Sequence, residues 1–549
     1  MKTIIKNITL FAIILAGLLS CSNNVLDENP PHILSGETLY TNLAGFEAGL
    51  NGLYNIARHH RWQSEKIEHS LNGTDNMSSN YRRGNIYYRW EDTNSPANSI
   101  LLEIFSFWYE VINAANTIIE RAENPDVNWS GGGDTPANNK MRVIAEAHAL
   151  RGWAYRFLTS DWGDVPLALE EYTGSTIKTD WERAPRLQVR RQAIEDFKFA
   201  QQYIPTEASL QGRITKGAVQ TYLSEMYLTI NKPDSALYWA NQAINNPAYK
   251  LVTKKYGVAA NNPDINAFGS MFKEGNQNRE EGNTEALWVW QFTLNSIDER
   301  GNEMSRAVVG NYNQININGV RALQYTYERG GRGKAYFGLT KWAIDIYEDK
   351  DERGTNDILR RYFILRDAQY NAPYPADRLP SGYKYGDTIW CHWDKPITEK
   401  NSSRADWPYP RKGEGTDPEN MSADFSWSDI VYLRLADTYL LKAEAEYKLG
   451  NAQAAANTIN ILRERANSSP VSAKDINIDF ILDERSRELV GEEDRRITLI
   501  RTHKWYERVK KYNLYGGEKV AQRDTLFPIP QAVIDANLTK TMPQNPGWN

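Results

Sequence analysis

Hydrophobic residues are distributed along this chain in three textures. The first is a continuous apolar run from Ile8 to Leu19, preceded by Lys2 and Lys6 and followed by Ser20-Cys21. A positive start, a short apolar core and a small residue before a cut describe a secretory signal peptide, here residues 1–20. The run is about a dozen residues, short of the roughly 20 that span a bilayer. Residues 21–35, with Asp27, Glu28, Pro30 and Pro31, read as an extended tether. The second texture is helical periodicity, with apolar positions three and four apart. It begins near Glu37 and continues through Ala44, Ala48, Leu50 and Tyr54. It recurs over Ile100 to Ala122, with Ile104, Phe107, Trp108, Val111, Ile112, Ala115 and Ile119 on one side. Further helices are predicted over Asn139 to Ser160, Leu187 to Tyr203, Thr215 to Ile230 and Asp234 to Asn245. A last set covers Ile430 to Leu449, Ala452 to Asn467 and Asp479 to Val490.

The third texture lies between. From Lys250 to Asp424 the helical pattern is mostly lost, and this stretch holds 16 of the 36 glycines. It reads as a loop-rich lobe with short strands such as Glu285 to Phe292. Within that strand Trp288 and Trp290 alternate, so both point one way and belong to a core. A weak internal repeat relates the two helical blocks. Ser224, Leu228, Ala236, Ala240 and Ala243 match Ala443, Tyr447, Ala455, Ile459 and Leu462 at a constant offset of 219. Small residues at such spacings let paired helices pack closely, as in tetratricopeptide units. The fold class expected is mainly α, a tetratricopeptide-like helical-hairpin scaffold carrying a large irregular lobe. Residues 36–549 are read as one domain, with scaffold at 36–249 and 425–549 and the lobe mainly at 250–424.

Composition narrows the function. The formal charge is −5, and −7 once Lys2 and Lys6 leave with the signal segment. A mildly acidic chain without a basic tract is not built for nucleic acid. Cys21 and Cys391 are the two cysteines, and Leu18-Leu19-Ser20-Cys21 resembles a bacterial lipobox, which implies lipidation of Cys21. A lipidated Cys21 leaves no intramolecular disulfide. The seven histidines include no zinc-protease pair at helical spacing, and there is no metal-type cysteine cluster. Gly330-Gly331-Arg332-Gly333 lacks the glycine spacing and the Lys-Ser/Thr of a phosphate loop. No metal or cofactor is implied.

Five stretches, taken together and in order, carry a family resemblance. Glu146 to Leu167 runs from a helix into Gly163-Asp164-Val165-Pro166. Val431 to Ala445 contains Arg434, Asp437 and Glu444. Asn460 to Ala466 contains Arg463 and Arg465. Asp483 to Glu492 contains Glu484, Arg485 and Glu488. The chain closes with Pro528-Ile529-Pro530-Gln531 and Gln544-Asn545-Pro546-Gly547. Behind a lipobox, this set resembles the SusD/RagB family of outer-membrane nutrient-binding lipoproteins. Glu285 to Gln291 and Asp351-Glu352-Arg353 add lesser matches. Read physically, these charged residues suit salt bridges along and between helices, so they identify the scaffold without marking a ligand.

The resemblance implies a lipid-anchored, surface-exposed protein of the outer membrane. It implies a SusC-like TonB-dependent transporter as partner and an oligosaccharide or polysaccharide fragment as ligand, bound without chemistry. One departure concerns export: Ser22-Asn23-Asn24 is neutral where some surface-exported relatives are acidic. Two regions fall where family binding loops lie. The first supplies Trp62, Asn72, Asp75, Tyr81, Arg82, Arg83 and Trp90; the second supplies Tyr312, Tyr336, Trp390, Trp393 and Trp407. Aromatics suit this task because sugar C–H faces stack on rings, while Tyr and Trp keep a polar edge. Two other readings stand beside this one. A binder of peptides or another non-glycan nutrient would share the architecture. A helical glycoside hydrolase would need two positioned carboxylates.

Overall fold

The structure is a computed structural model that describes residues 36–79, 86–174, 176–294, 301–394 and 404–548. The signal segment, Cys21, Tyr81, Arg82 and Arg83 lie outside the described residues. Long helices run over Leu43–Arg58, Ser99–Arg121, Pro136–Asp161, Arg186–Tyr203, Lys216–Thr229 and Pro233–Ile244. After the irregular stretch they resume at Leu435–Lys448, Ala452–Arg465 and Ile478–Leu489. Polar residues fix where several begin. Asn98 accepts from the Ile100 and Leu101 amides, Thr135 from Asn138, Thr215 from Ala218, and Asn477 from Phe480. Each satisfies amide donors that the first helical turn leaves free. The Pro136–Asp161 helix stops where Gly163 takes a left-handed φ of 76°. The apolar stripe anticipated on Ser99–Arg121 is buried at Ile104, Phe107, Trp108, Val111, Ile112 and Ala115, with Ile119 at its edge.

The internal repeat is a pair of helical hairpins. Lys216–Thr229 with Pro233–Ile244, and Leu435–Lys448 with Ala452–Arg465, are each joined by a short turn. Asn231 (φ 56°) and Gly450 (φ 81°) hold the left-handed residue of each turn, and they too are 219 apart. Asn and Gly are the residues that tolerate this conformation best. Small residues allow close approach: Ser224 donates to the Ala236 carbonyl at 2.9 Å, and Thr221 meets Thr438 at 2.7 Å. Leu228, Ala236, Leu441 and Ala445 form a shared cluster between the hairpins. The scaffold is thus tetratricopeptide-like. Among the described residues no helix is long and apolar enough to cross a membrane.

One sequence expectation is corrected here. Ile430–Arg434, read as the start of a helix, is a strand paired antiparallel with Ala286–Trp290, and the helix begins only at Leu435. The segment Ile-Val-Tyr-Leu favours a pleated, buried setting, and the pairing overrides helical periodicity. Trp288 and Trp290 are buried, 4.4 Å apart, facing Trp153 and Tyr432.

The irregular stretch has its own core around Met304, Tyr312, Phe337, Ile344, Phe363 and Tyr409, which Ile67, Leu71 and Met77 also enter. Short antiparallel pairs organise it: Met77–Ser79 with Phe337–Leu339, and Tyr362–Ile364 with Thr388–Trp390. Cys391 is buried with a free thiol.

Charged side chains bind the parts together. Asp494 is buried and accepts from Arg61 (3.1 Å), Arg156 (3.1 Å), Ser70 (2.5 Å) and Tyr432 (3.0 Å), and it lies 3.2 Å from His60. Burial lowers the His60 pKa to about 4 even though Asp494 pulls it upward; His59 is lowered to about 4 as well. Between about pH 6.5 and 4 the unfolded chain therefore binds protons that the folded chain refuses, so stability should fall as pH drops through that window. The urea midpoint is expected to decrease from pH 7 to pH 5, and to decrease less in His60→Gln.

Candidate functional site

The site is built on one extended segment. From Arg360 to Arg366, side chains alternate between two faces. Phe363 and Leu365 turn into the second core. Arg360, Tyr362, Ile364 and Arg366 turn the other way and line an open cleft of about 530 Å³. Three other stretches complete it, 262–274, 327–330 and 411–428, together with 352–357 and Tyr370 on either side of the segment itself. Pairing with Thr388–Trp390 sets Trp390 opposite Tyr362. Ile389 is buried between its neighbours, so Trp390 is forced outward and stays 54% exposed. Its ring lies 4.9 Å from that of Tyr362, inclined by 56°. A Trp that half exposed beside a cleft-lining Tyr forms an apolar platform with polar edges. Tyr370 and Tyr327, both about half exposed, add two more rings to the wall.

The polar part of the cleft is mostly self-satisfied. Arg360 donates to Glu328 (2.9 Å) and Glu414 (3.1 Å), and Arg411 donates to Glu414 at 2.8 Å. Asn266 holds Asp357 through its backbone amide at 2.9 Å and reaches the Glu352 carbonyl at 2.9 Å. Glu274 accepts from Ser428 at 3.1 Å and is hydrogen-bonded with Tyr327, whose phenol is pushed up by burial and by that carboxylate. Rings on the rim and paired polar groups below suit a ligand with apolar faces and many hydroxyls. Among the described residues, no group of three or more His, Cys, Asp and Glu side chains is placed to hold a metal ion.

The anticipated site residues divide sharply. Trp390 stands on the rim of the cleft. Trp393 is half-buried on the same strand's exit, its indole donating to Asp345 at 2.8 Å with Arg361 over the ring. Trp62 is half-buried against His59, and Tyr336 lies beneath the Arg306 guanidinium. Five expectations are corrected by burial. Asn72 donates to Glu68 and Ser79 inside the fold. Asp75 is fully enclosed by Arg495 and Arg508. Trp90 has no exposed surface and packs on Trp505, Phe527 and Tyr87. Tyr312 is buried with its hydroxyl on the Gly331 carbonyl at 2.5 Å. Trp407 also is nearly buried, donating to the Leu339 carbonyl. These side chains pin irregular backbone to the cores, where no ligand reaches them.

Sequence reasoning missed Lys273, Tyr327, Arg360, Tyr362, Arg366 and Tyr370. The alternation of Arg360-Arg361-Tyr362-Phe363-Ile364 was the available signal. It could not reveal a cleft whose walls come from four segments up to about 160 residues apart in sequence.

Residues 284–548 match the model of the SusD family, and residues 25–228 match a model described as starch-binding associating with outer membrane. A SusD-like protein P2 of Formosa agariphila is 24% identical over 556 residues, covering 98% of this chain and 99% of the relative. The starch-binding protein SusD of Bacteroides thetaiotaomicron is 35% identical over 130 residues, 23% of each chain. Among solved structures, a laminarin-binding SusD-like protein superposes with a TM-score of 0.68 at 20% identity, covering 93% of this chain and all of its own. Surface glycan-binding protein A of Bacteroides thetaiotaomicron gives 0.66 at 18% identity, with 93% of this chain and all of its own covered.

Proposed function

Because this chain belongs to the SusD/RagB family, we propose that it captures oligosaccharides or polysaccharide fragments at the outer membrane and performs no chemistry on them. In this reading Cys21 carries the lipid anchor, the protein faces the outside of the cell, and bound glycan passes to a SusC-like TonB-dependent transporter. Starch and laminarin are named for two relatives, which supports a glycan as the ligand here. The observation that carries the reading is the Trp390–Tyr362 pair on the rim of the open cleft. An exposed Trp costs hydration that a sugar face can recover, and the tilt between the two rings suits consecutive residues of a curved glycan chain. The cleft's length suits an oligosaccharide: four alternating positions from Arg360 to Arg366 span roughly 20 Å.

The test is binding by titration calorimetry with laminarin and starch fragments first, then other plant and microbial glycans. Trp390→Ala and Tyr362→Ala should each weaken binding by about 1–3 kcal/mol, the scale of an aromatic ring stacked on a planar ligand. Unchanged affinity in both variants, with folding intact, would remove this rim from the site.

A further inference from the structure

Two cations in the cleft have no carboxylate partner among the described residues. Lys273 lines it, and its ammonium makes no hydrogen bond or ion pair to any described residue. Arg366 lines it too; its guanidinium lies over the Tyr370 ring at 3.7 Å and has no hydrogen-bond or ion-pair partner among the described residues. Both contrast with the neighbouring Arg360 and Arg411, whose charges are closed by Glu328 and Glu414. The charged groups acting on Lys273 are Arg411 and Arg360 against Glu414 and Glu328. That quartet is balanced, so it supplies Lys273 with no net counter-charge. Burial holds the Lys273 pKa down at about 8, the mark of an ammonium with too little compensation.

The cleft's other carboxylates are disposed differently. Glu274 is engaged by Ser428 and Tyr327, and Asp357 by Asn266 and Thr355. The Glu352 carboxyl is pushed up by burial and by Asp357 beside it. Asp264 stands in solvent. Asp357 and the Glu352 backbone are both tied to Asn266, so acid gathers there, while Lys273 sits with the Arg–Glu quartet. A polymer of neutral sugars would leave Lys273 uncompensated when it displaced water from the cleft. A partly buried ammonium facing a ligand channel gains most from an anionic group, through a charge-assisted hydrogen bond.

We propose that the cleft selects an acidic glycan, one carrying carboxylate or sulfate groups, and that Lys273 receives an anionic substituent while Arg366 receives another further along the chain. This rests on the glycan-binding reading above and adds the chemical class of the glycan. Arg366 stacked on Tyr370 offers a flat cation edge beside a ring, which fits a sugar bearing a carboxylate at its rim. The two anionic sources are separable, because a uronate presents a planar acceptor and a sulfate a tetrahedral one.

The experiment compares three probes by titration calorimetry: oligogalacturonate, sulfated galactan fragments and neutral laminarin fragments. Lys273 has no ion pair to break, so Lys273→Met should stay folded, checked by its melting temperature. The expected result is at least tenfold preference for one acidic probe over the neutral one. Lys273→Met should lose at least tenfold more affinity for that probe than for the neutral one, and Arg366→Gln should act in the same direction. Raising salt should weaken the acidic complex and spare the neutral one. Equal or better binding of the neutral probe, with Trp390→Ala weakening it and Lys273→Met changing all probes alike, would overturn this inference and leave the binder standing. Binding of none of a wide glycan panel would overturn both.

Discussion

Replacing Glu488 with alanine is expected to remove about 3–5 kcal/mol of stability, the cost of breaking a fully buried charge cluster by deleting one member. Glu488 is 0% exposed. It accepts from Arg434 at 2.8 Å, from Arg353 at 3.1 Å and from Arg465. These partners come from the strand Ile430–Arg434, the turn at Asp351–Arg353 and the helix Ala452–Arg465. One carboxylate thus ties the second helical hairpin to the irregular lobe. Glu285 shares both Arg434 and Arg465 with Glu488, whereas Glu484 and Glu492 share Arg353 and Arg434 with it and also serve Arg463 and Lys412. Removal of Glu488 leaves excess positive charge out of bulk water. Burial alone would raise the Glu488 pKa, yet Arg465, Arg434 and Arg353 outweigh it and hold the carboxyl well below the usual range. A depressed folded pKa means the contribution is present above the unfolded value, near pH 4.3, and lost as pH falls below it. Denaturant midpoints at pH 7 should therefore separate wild type from Glu488→Ala strongly, and Glu488→Gln should fall between them. Below about pH 4 the gap should narrow. A loss under about 1 kcal/mol at pH 7 would show that the neighbouring acids carry the cluster without it.

Asp75→Ala is expected to cost a similar 3–5 kcal/mol and to leave glycan affinity of the folded protein unchanged. Sequence placed Asp75 among the ligand residues; the structure gives it to the fold. Its two oxygens accept a bidentate pair from Arg495, both at 2.8 Å, and one accepts from Arg508 at 2.7 Å. Burial would raise its pKa, and Arg495 and Arg508 together bring it below the usual range. Arg508 is further fixed by Asp479, Asp483 and the Trp342 ring, so part of its charge stays compensated in the variant. Arg495 keeps Glu493 at 3.2 Å and loses its bidentate partner. Melting and calorimetry on the same preparations separate the two roles. A stable Asp75→Ala protein that binds glycan tenfold more weakly would return Asp75 to the ligand site.

How much of this was legible depends on whether the signal was local. The helical hairpins were, because close packing demands small residues at fixed spacing; the constant offset of 219 extends to the turn residues Asn231 and Gly450. The Trp288–Trp290 alternation was local too, and both rings are core. The strand Ile430–Arg434 was obscured because its identity depends on pairing with a segment about 140 residues away. Along the non-periodic stretches, inside the irregular lobe and outside it, composition announced aromatics in loops without telling which face water. Trp90 and Tyr312 are as buried as any helix core residue, whereas Trp390 is exposed because its strand neighbour Ile389 fills the core. A loop aromatic's exposure is set by the register of a partner strand, and that register is not written in the loop. Lys273 drew no attention for a related reason: an unpaired charge is recognised only when its surroundings are assembled.

The most direct test of the central claim is affinity electrophoresis of residues 22–549 through gels holding plant, microbial and host polysaccharides, with the chain length of each polymer measured afterwards. The account predicts retardation by at least one polymer whose chain length is unchanged, with mobility restored in Trp390→Ala. Shortening of a retarded polymer would contradict it, because the protein would then be cutting the glycan it holds.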